Sequence, residues 1–525
     1  MERSVALLPW QQAAVLSAIT VAVFSPTLSS GFVYDARLQI LTDPFLHDPW
    51  NWLNVLSLRV MAMDVLDFNR PVNLASLMLD AAVWGKEPFG YHLTSVLLHA
   101  MNVVMVWGIS RHLSRAAQGQ AAGLSYFSAL LFAVHPVVTE AVCEPTFRED
   151  LLATGFSLGA LLLAMRRPQR TTANETGDSW LAAGCVLCCL LAVASKESGV
   201  AAPLILAVYW WLLRRGESGR FWRLAIGGGA LVTAAFLAAR FLLEPTPSQI
   251  FEAKPQYPGG SLPAALMIEP RILALYAQLI FIPINLCADY GLYSVRHLPL
   301  PVALAMLSGL ATAAAFAIRA DRRLALAVAM IVLPLVPVAN LIPIYRAAAD
   351  RYLYFPMTGV AVAVGLLLDS TWLASRGRLR DQAVIGMLAA LAALSMACVE
   401  RQAVWANPLS LWEDTYRKNP AAFTAASGLG EALREAGRLT EAEKATREAI
   451  RLSEGNRGDA WATLALILDG QGRDAEATDA IAKAIEVDPK LADPDARVRV
   501  LAMERPVAEA LEELMEKLGT TRDAP

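Results

Sequence analysis

Residues 131–165 read LFAVHPVVTEAVCEPTFREDLLATGFSLGALLLAM. An apolar run enters from the left and another leaves to the right. Between them stand His135, Glu140, Glu144, Arg148, Glu149 and Asp150. Each run, extended into its flanks, approaches the ~20 apolar residues that a spanning helix needs. Charge is costly in hydrocarbon, so a charged knot between two such runs belongs at a membrane surface or in a protein-lined cavity. The stretch fixes the class: all-α, polytopic, in a membrane.

The same pattern repeats outward from it. Spans are expected near 6–27, 91–111, 123–143, 150–165, 179–195, 199–213, 222–243, 299–318, 324–343, 353–374 and 382–400, eleven in all. The first has no clean small-residue cleavage site after it and reads as an anchor, not a signal peptide. Arginines cluster in five short connections: Arg111/Arg115, Arg166/Arg167/Arg170, Arg214/Arg215/Arg220/Arg223, Arg319/Arg322/Arg323 and Arg376/Arg378/Arg380. Cytoplasmic loops collect such residues. All five fall on one side if the apolar run 263–284 does not cross. That run is therefore expected as a re-entrant or surface-lying helix, with the N-terminus cytoplasmic and the C-terminus external. Loop 28–90, turns 144–149 and 195–198, and segments 244–298 and 344–352 then share the outer face. Residues 72–84 have helical apolar spacing but are short to span, and fit an interfacial amphipathic helix.

Composition agrees. The chain has 525 residues, 56% hydrophobic and 18% charged, with mean hydropathy +0.42. Soluble chains sit nearer ~45–50% apolar and ~25% charged. The net charge of −3 gives no reason to expect a nucleic-acid partner, but it hides a split: residues 401–525 hold 17 basic and 23 acidic residues. Six cysteines do not form a disulfide framework; Cys185, Cys188 and Cys189 share one apolar run and read as buried, inert thiols.

The division is a membrane domain over 1–404 and an external helical-repeat domain over 405–525. In the second, Leu429-Gly430, Ala442 and Ala449 recur 35 residues later as Leu464-Ala465, Ala477 and Ala484. Small residues so spaced let paired helices pack closely, as in tetratricopeptide repeats of ~34 residues. Residues 405–418 read as the second helix of a partial preceding unit, and 492–519 as a degenerate unit or cap.

Several outward residues are candidates for chemistry. Asp35, in SSGFVYDARLQI, is placed to act as a general base on a hydroxyl, or to pair with Arg37. Arg148 has the planar fork that suits a phosphate, or pairs with Glu144 or Asp150. Lys196 stands beside Glu197, Asp289 beside Tyr290, and Arg346, Asp350 and Arg351 precede YLYFP. Arg351 is a candidate phosphate or headgroup ligand. No spacing of His, Asp or Glu marks a metal site, and no cofactor is expected. No Gly-rich phosphate loop, serine elbow or nucleotide fingerprint is present, so ATP-driven transport and nucleotide-sugar use have no support.

These residues carry a family resemblance. GFVYD, the long run from NRPVNLASLML to AMNVVMVW, LFAVHPVVTEAV with REDLLA, SKESGV, ADYGLY, and PVANLIPI with DRYLYFP occur in that order. The chain resembles the transmembrane and tetratricopeptide-repeat O-mannosyltransferase family and its bacterial relatives over nearly its whole length. The resemblance implies a glycosyltransferase of the polytopic C-type fold that uses a polyprenyl-phosphate sugar on the non-cytoplasmic face. In eukaryotic members the sugar is mannose and the acceptor a Ser or Thr hydroxyl. The family's acidic motif after the first span matches Asp35; its second acid is here Ala36. Its HPVHTEAV is here HPVVTEAV, with Val138 in place of a histidine. Its GRADLL keeps Arg148 and Asp150, and its ERYLYLP keeps Arg351.

The expectation is direct inverting transfer. Asp35 is the base, and Arg148, Arg351 and Lys196 bind the donor phosphate. Glu140, Asp150, His135 and Arg346 support them. The expected partners are the lipid-linked sugar, membrane lipid, and a protein acceptor or assembly partner held by the repeats. The expected place is a bacterial inner membrane with periplasmic repeats. Two other readings stay open: a lipid-linked or surface-glycan acceptor, and a non-enzymatic scaffold. The scaffold would turn Asp35 and Arg148 away from any shared cavity.

Overall fold

The computed structural model describes residues 8–115, 122–167, 175–217, 219–243, 256–291, 295, 297–372, 378–494, 505–517 and 519. Arg170, Arg376 and parts of 244–298 and 492–519 lie outside them. Among the described residues every regular element is helical. Eight helices are long and apolar enough to cross a membrane, or nine if one bent pair counts as a single span. The chain is an integral membrane protein.

Of the eleven expected spans, seven coincide with helices long and apolar enough to cross and one with the bent pair, while 150–165, 199–213 and 324–343 are not among them and 339–343 is not helical. The span expected at 123–143 bends by 53° between Ser125–Val134 and Pro136–Cys143. Pro136 has no N–H to continue the ladder, and it pushes the residue before it out of helical geometry. His135 is accordingly extended, and its Nδ1 accepts the Val137 N–H at 3.3 Å. Helix Arg322–Val332 gives way to the tighter turn Leu333–Val338, where Pro334 and Pro337 fall.

The helices hold each other by close approach and by buried polar pairs, as lipid-embedded helices do. A β-carbon on Gly359, in helix Tyr354–Trp372, would sit 2.7 Å from the Ala327 carbonyl of the neighbouring helix. His99 Nδ1 meets the Tyr354 hydroxyl at 2.8 Å, and Asn102 donates to the Leu151 carbonyl at 2.9 Å.

The bundle has two chemically distinct ends. At one, Arg323 donates to the Leu113 carbonyl at 3.2 Å, Arg111 reaches Gln12 at 3.4 Å, and Arg167 and Arg214 share Glu217. At the other lie the turns holding Asp35, Glu140, Lys196 and Arg351. Helix Leu262–Phe281 qualifies as a span by length and composition. Its contacts nonetheless keep to the second end. Tyr257, just before it, donates to Leu341 O at 3.4 Å, and Glu269 accepts from Asn340 at 2.9 Å. Tyr276 accepts the Ala349 N–H at 3.3 Å, and Ile280 O meets His135 Nε2 at 3.0 Å.

Within loop 28–90, helix Pro71–Trp84 buries Leu74, Leu77, Met78 and Ala81. Its other face is also apolar, with Leu79, Val83 and Trp84 exposed. Polar surface is what water would select there; an apolar outer face suits a membrane interface. Past Trp405, which is fully buried, the helices pair: Phe423–Glu435 with Leu439–Leu452, and Gly458–Gly470 with Asp474–Val487. A β-carbon on Gly430 would stand 2.2 Å from Thr446 Oγ1, so the first pair depends on that glycine's small size.

Candidate functional site

The turn after the first span sets Asp35. Val33 is extended, and Tyr34 follows at φ 51°, a left-handed conformation for a bulky side chain. Such strain costs about 1–3 kcal/mol and persists only where the surroundings impose it. Here the Tyr34 ring stands edge-on to Phe147 at 5.8 Å, with the Arg346 guanidinium above it at 5.7 Å. The Ala36 N–H donates to the buried Glu144 Oε1 at 3.0 Å. Arg37 does not pair with Asp35; it grips Glu435 through two hydrogen bonds of 2.8 and 2.6 Å. Asp35 is itself exposed and has no hydrogen-bond or ion-pair partner among the described residues. The protein enclosing the cleft nevertheless raises its pKa above the ordinary carboxylate range. Arg351 and Arg346 work against that rise, and Glu149 and Glu140 add to it.

Arg351 and Arg346 act on this carboxylate, and Lys196 and Arg351 both act on Asp150. Arg351 lies over the Phe147 ring at 3.9 Å and is ion-paired to Glu140. Glu140 also accepts the Asp350 N–H at 3.0 Å, which fixes it. Lys196 sits between Glu149 at 3.0 Å and Asp150 at 2.5 Å, above the Tyr352 ring at 5.3 Å. Arg346 is held by Asp289 at 2.6 Å. The structure thus brings Asp35, Glu140, Asp150, Lys196, Arg346 and Arg351 into one electrostatic cluster.

Two expected participants lie elsewhere. Arg148 is fully buried and turned away from the cleft. Its guanidinium pairs with Asp80 at 2.6 Å and donates to Ser76 Oγ at 3.0 Å and Tyr91 O at 2.8 Å. Its position on the first turn of helix Arg148–Arg166 aims it at helix Pro71–Trp84, where Asp80 is buried. It is therefore corrected from phosphate ligand to structural ion pair. His135 uses both ring nitrogens on backbone, at Val137 and Ile280, and braces helix Leu262–Phe281.

Sequence reading passed over Arg70. It precedes Pro71 at the start of a helix and joins Asp67 at 3.0 Å, Glu149, and Glu197 at 3.2 Å. Arg240 completes the chain at 2.6 Å from Glu197. Burial works to raise the Glu197 pKa, but Arg70 and Arg240 hold it well below the usual range. Burial pushes Asp67 up to about 6 despite Arg70. Glu144 is pushed well above its ordinary value, by burial first and then by Asp35. The available signal for Arg70 was an arginine immediately before a helix-starting proline within the longest quoted motif. Among the described residues no three His, Cys, Asp or Glu side chains gather as a metal-holding group.

No family model matches the chain. It is similar to curated proteins, however. A protein O-mannosyl-transferase of Caenorhabditis elegans is 24% identical over 455 residues, which is 83% of this chain and 62% of that protein. A Drosophila melanogaster protein O-mannosyl-transferase is 26% identical over 74% of this chain and 49% of its own length. A human one is 24% identical over 86% and 56%. The chain thus spans about half to three-fifths of the length of these relatives. Among solved structures, ArnT from Cupriavidus metallidurans, bound to undecaprenyl phosphate, aligns with a TM-score of 0.43 at 14% identity, over 97% of this chain and 88% of that one.

Proposed function

We propose that this relative of the protein O-mannosyl-transferases is a membrane glycosyltransferase. It moves a mannose-like hexose from a polyprenyl-phosphate donor to a Ser or Thr hydroxyl of a protein, at the periplasmic face of a bacterial inner membrane. One observation carries the reading. The acids Glu140, Glu149, Asp150 and Asp289 are bound to cations, while Asp35 stands free among them.

The reaction needs a group to take a proton as the acceptor oxygen attacks the anomeric carbon. Asp35 takes it. The bond from the anomeric carbon to the phosphate oxygen breaks, and the leaving electron pair stays on the lipid phosphate. A phosphate anion leaves well, so no strong acid is required. Arg351, Arg346 and Lys196 lie where that negative charge develops. Preorganised charge of this kind acts strongly in a water-poor site. Their carboxylate partners fix them in place, and a guanidinium has five N–H donors, so Arg351 keeps donors beyond the one given to Glu140. The scaffold reading would turn both Asp35 and Arg148 away from a shared cavity; Arg148 does turn away, to Asp80, but Asp35 stands among these cations, which favours the enzyme.

The test is transfer by purified protein. Asp35→Asn should lose about 10²–10⁴-fold in kcat, the usual weight of a general base, and full activity in folded protein would end the assignment. In the wild type, a raised Asp35 pKa keeps the base protonated to higher pH. The acid limb of kcat/KM should therefore fall above the ordinary carboxylate range. Mass spectrometry of envelope proteins with and without the gene would identify sugar and acceptor: hexose absent from specific Ser or Thr residues supports the reading.

A further inference from the structure

The residues on both sides of Asp35 are held by the repeat helices. Tyr34 stacks on Trp412, with centroids 5.6 Å apart and planes 26° apart, and meets the Trp405 ring edge-on at 6.2 Å. Arg37 is clamped by Glu435. Just before the turn, the Gly31 N–H donates to Ala406 O at 3.0 Å. Trp412 lies on helix Pro408–Lys418 and is itself wedged. A β-carbon on Gly428, in helix Phe423–Glu435, would fall 2.4 Å from its ring. The paired helices therefore seat the indole that supports Tyr34.

The same helices reach the opposite wall. Asn419 donates to Asp289 O at 3.0 Å, Lys418 donates to Leu286 O at 2.7 Å, and Thr424 donates to the Asp289 carboxylate that holds Arg346. A module that only captured an acceptor would need none of these contacts. A left-handed tyrosine needs surroundings that impose it, and here much of the imposing surface belongs to the repeats.

We infer that the repeat module is a positioning element of the cleft, with Trp412 and Glu435 setting the geometry in which Asp35 meets an acceptor hydroxyl. The inference rests on Asp35 being the base. It differs from an acceptor-docking role in a specific way: it requires the repeats even for an acceptor too short to touch them.

The experiment uses the full chain, polyprenyl-phosphate mannose and a short serine peptide. Trp412→Ala should lower kcat about tenfold or more with both KM values within about twofold, a pattern of lost transition-state geometry and not of lost binding. Trp412→Phe should restore most of it. Glu435→Gln, a change at a partly exposed pair, should give a smaller fall in the same sense. Amide exchange over residues 31–42 should quicken about tenfold in Trp412→Ala, since the Tyr34–Ala36 turn loses a support. Unchanged kcat together with unchanged exchange would overturn the inference, as would a kcat loss that phenylalanine does not rescue. Asp35→Asn in the same assay separates the two questions. If it is active, the assignment of the base fails, while exchange over 31–42 still reports whether the repeats hold the turn.

Discussion

At the scale of the residue, Arg148 and Arg351 show how one residue type serves two ends. Both were legible as arginines beside acids at an outer turn. What separates them is the partner each finds across the fold. Arg351 meets Glu140 and the Phe147 ring beside Asp35; Arg148 meets Asp80, buried on a helix whose acid gave no sign of facing inward. Removing one member of a buried pair leaves the other charge stranded, typically at about 3–5 kcal/mol. Arg148→Met should therefore lower thermal stability in detergent by that order, while the donor KM of the folded fraction holds. A donor KM raised tenfold at unchanged stability would return Arg148 to the phosphate. Asp35 was legible by its place after the first span. Its freedom was not, because Arg37 stood two residues away as a possible partner and only the fold gives Arg37 to Glu435.

Elements were read well where periodicity and length decide, and less well where a single residue redirects them. The run 123–143 is apolar enough for one span, yet Pro136 breaks it. The bend sets Glu140 within reach of Arg351. Helix Leu262–Phe281 has the length of a span, while its hydrogen bonds to Leu341 and His135 lie at one end of the bundle. Glycines mark where helices touch. Gly359→Ala would press a β-carbon against the Ala327 carbonyl and should cost about 1–3 kcal/mol in unfolding. Gly309→Ala, on helix Leu300–Ala320 with nothing within 4 Å, should be neutral or slightly stabilising. Equal effects at the two sites would refute the close packing at Gly359.

For the whole molecule, topology is the statement most open to direct measurement. The eleven crossings expected from the sequence would put the arginine end and the repeats on opposite sides. Asn456→Cys, exposed on the repeats, should react with an impermeant thiol reagent from outside the cell. Arg215→Cys, exposed at the arginine end, should react only after permeabilisation. Labelling of both from the same side would require an even number of crossings. The amino-acid order alone determined the membrane class, most of the apolar helices and the 35-residue repeat. These follow from local chemistry: hydrocarbon rejects charge, and a helix places every third or fourth residue on one face. Only the tertiary structure decided which acids stand paired, that Arg148 is spoken for, that Arg70 joins the cluster, and that Trp412 supports the turn of Asp35. Those facts depend on contacts between residues far apart in the chain, up to 398 positions for Arg37 and Glu435. The strength of an ion pair is set by distance and burial in space, which no local pattern encodes.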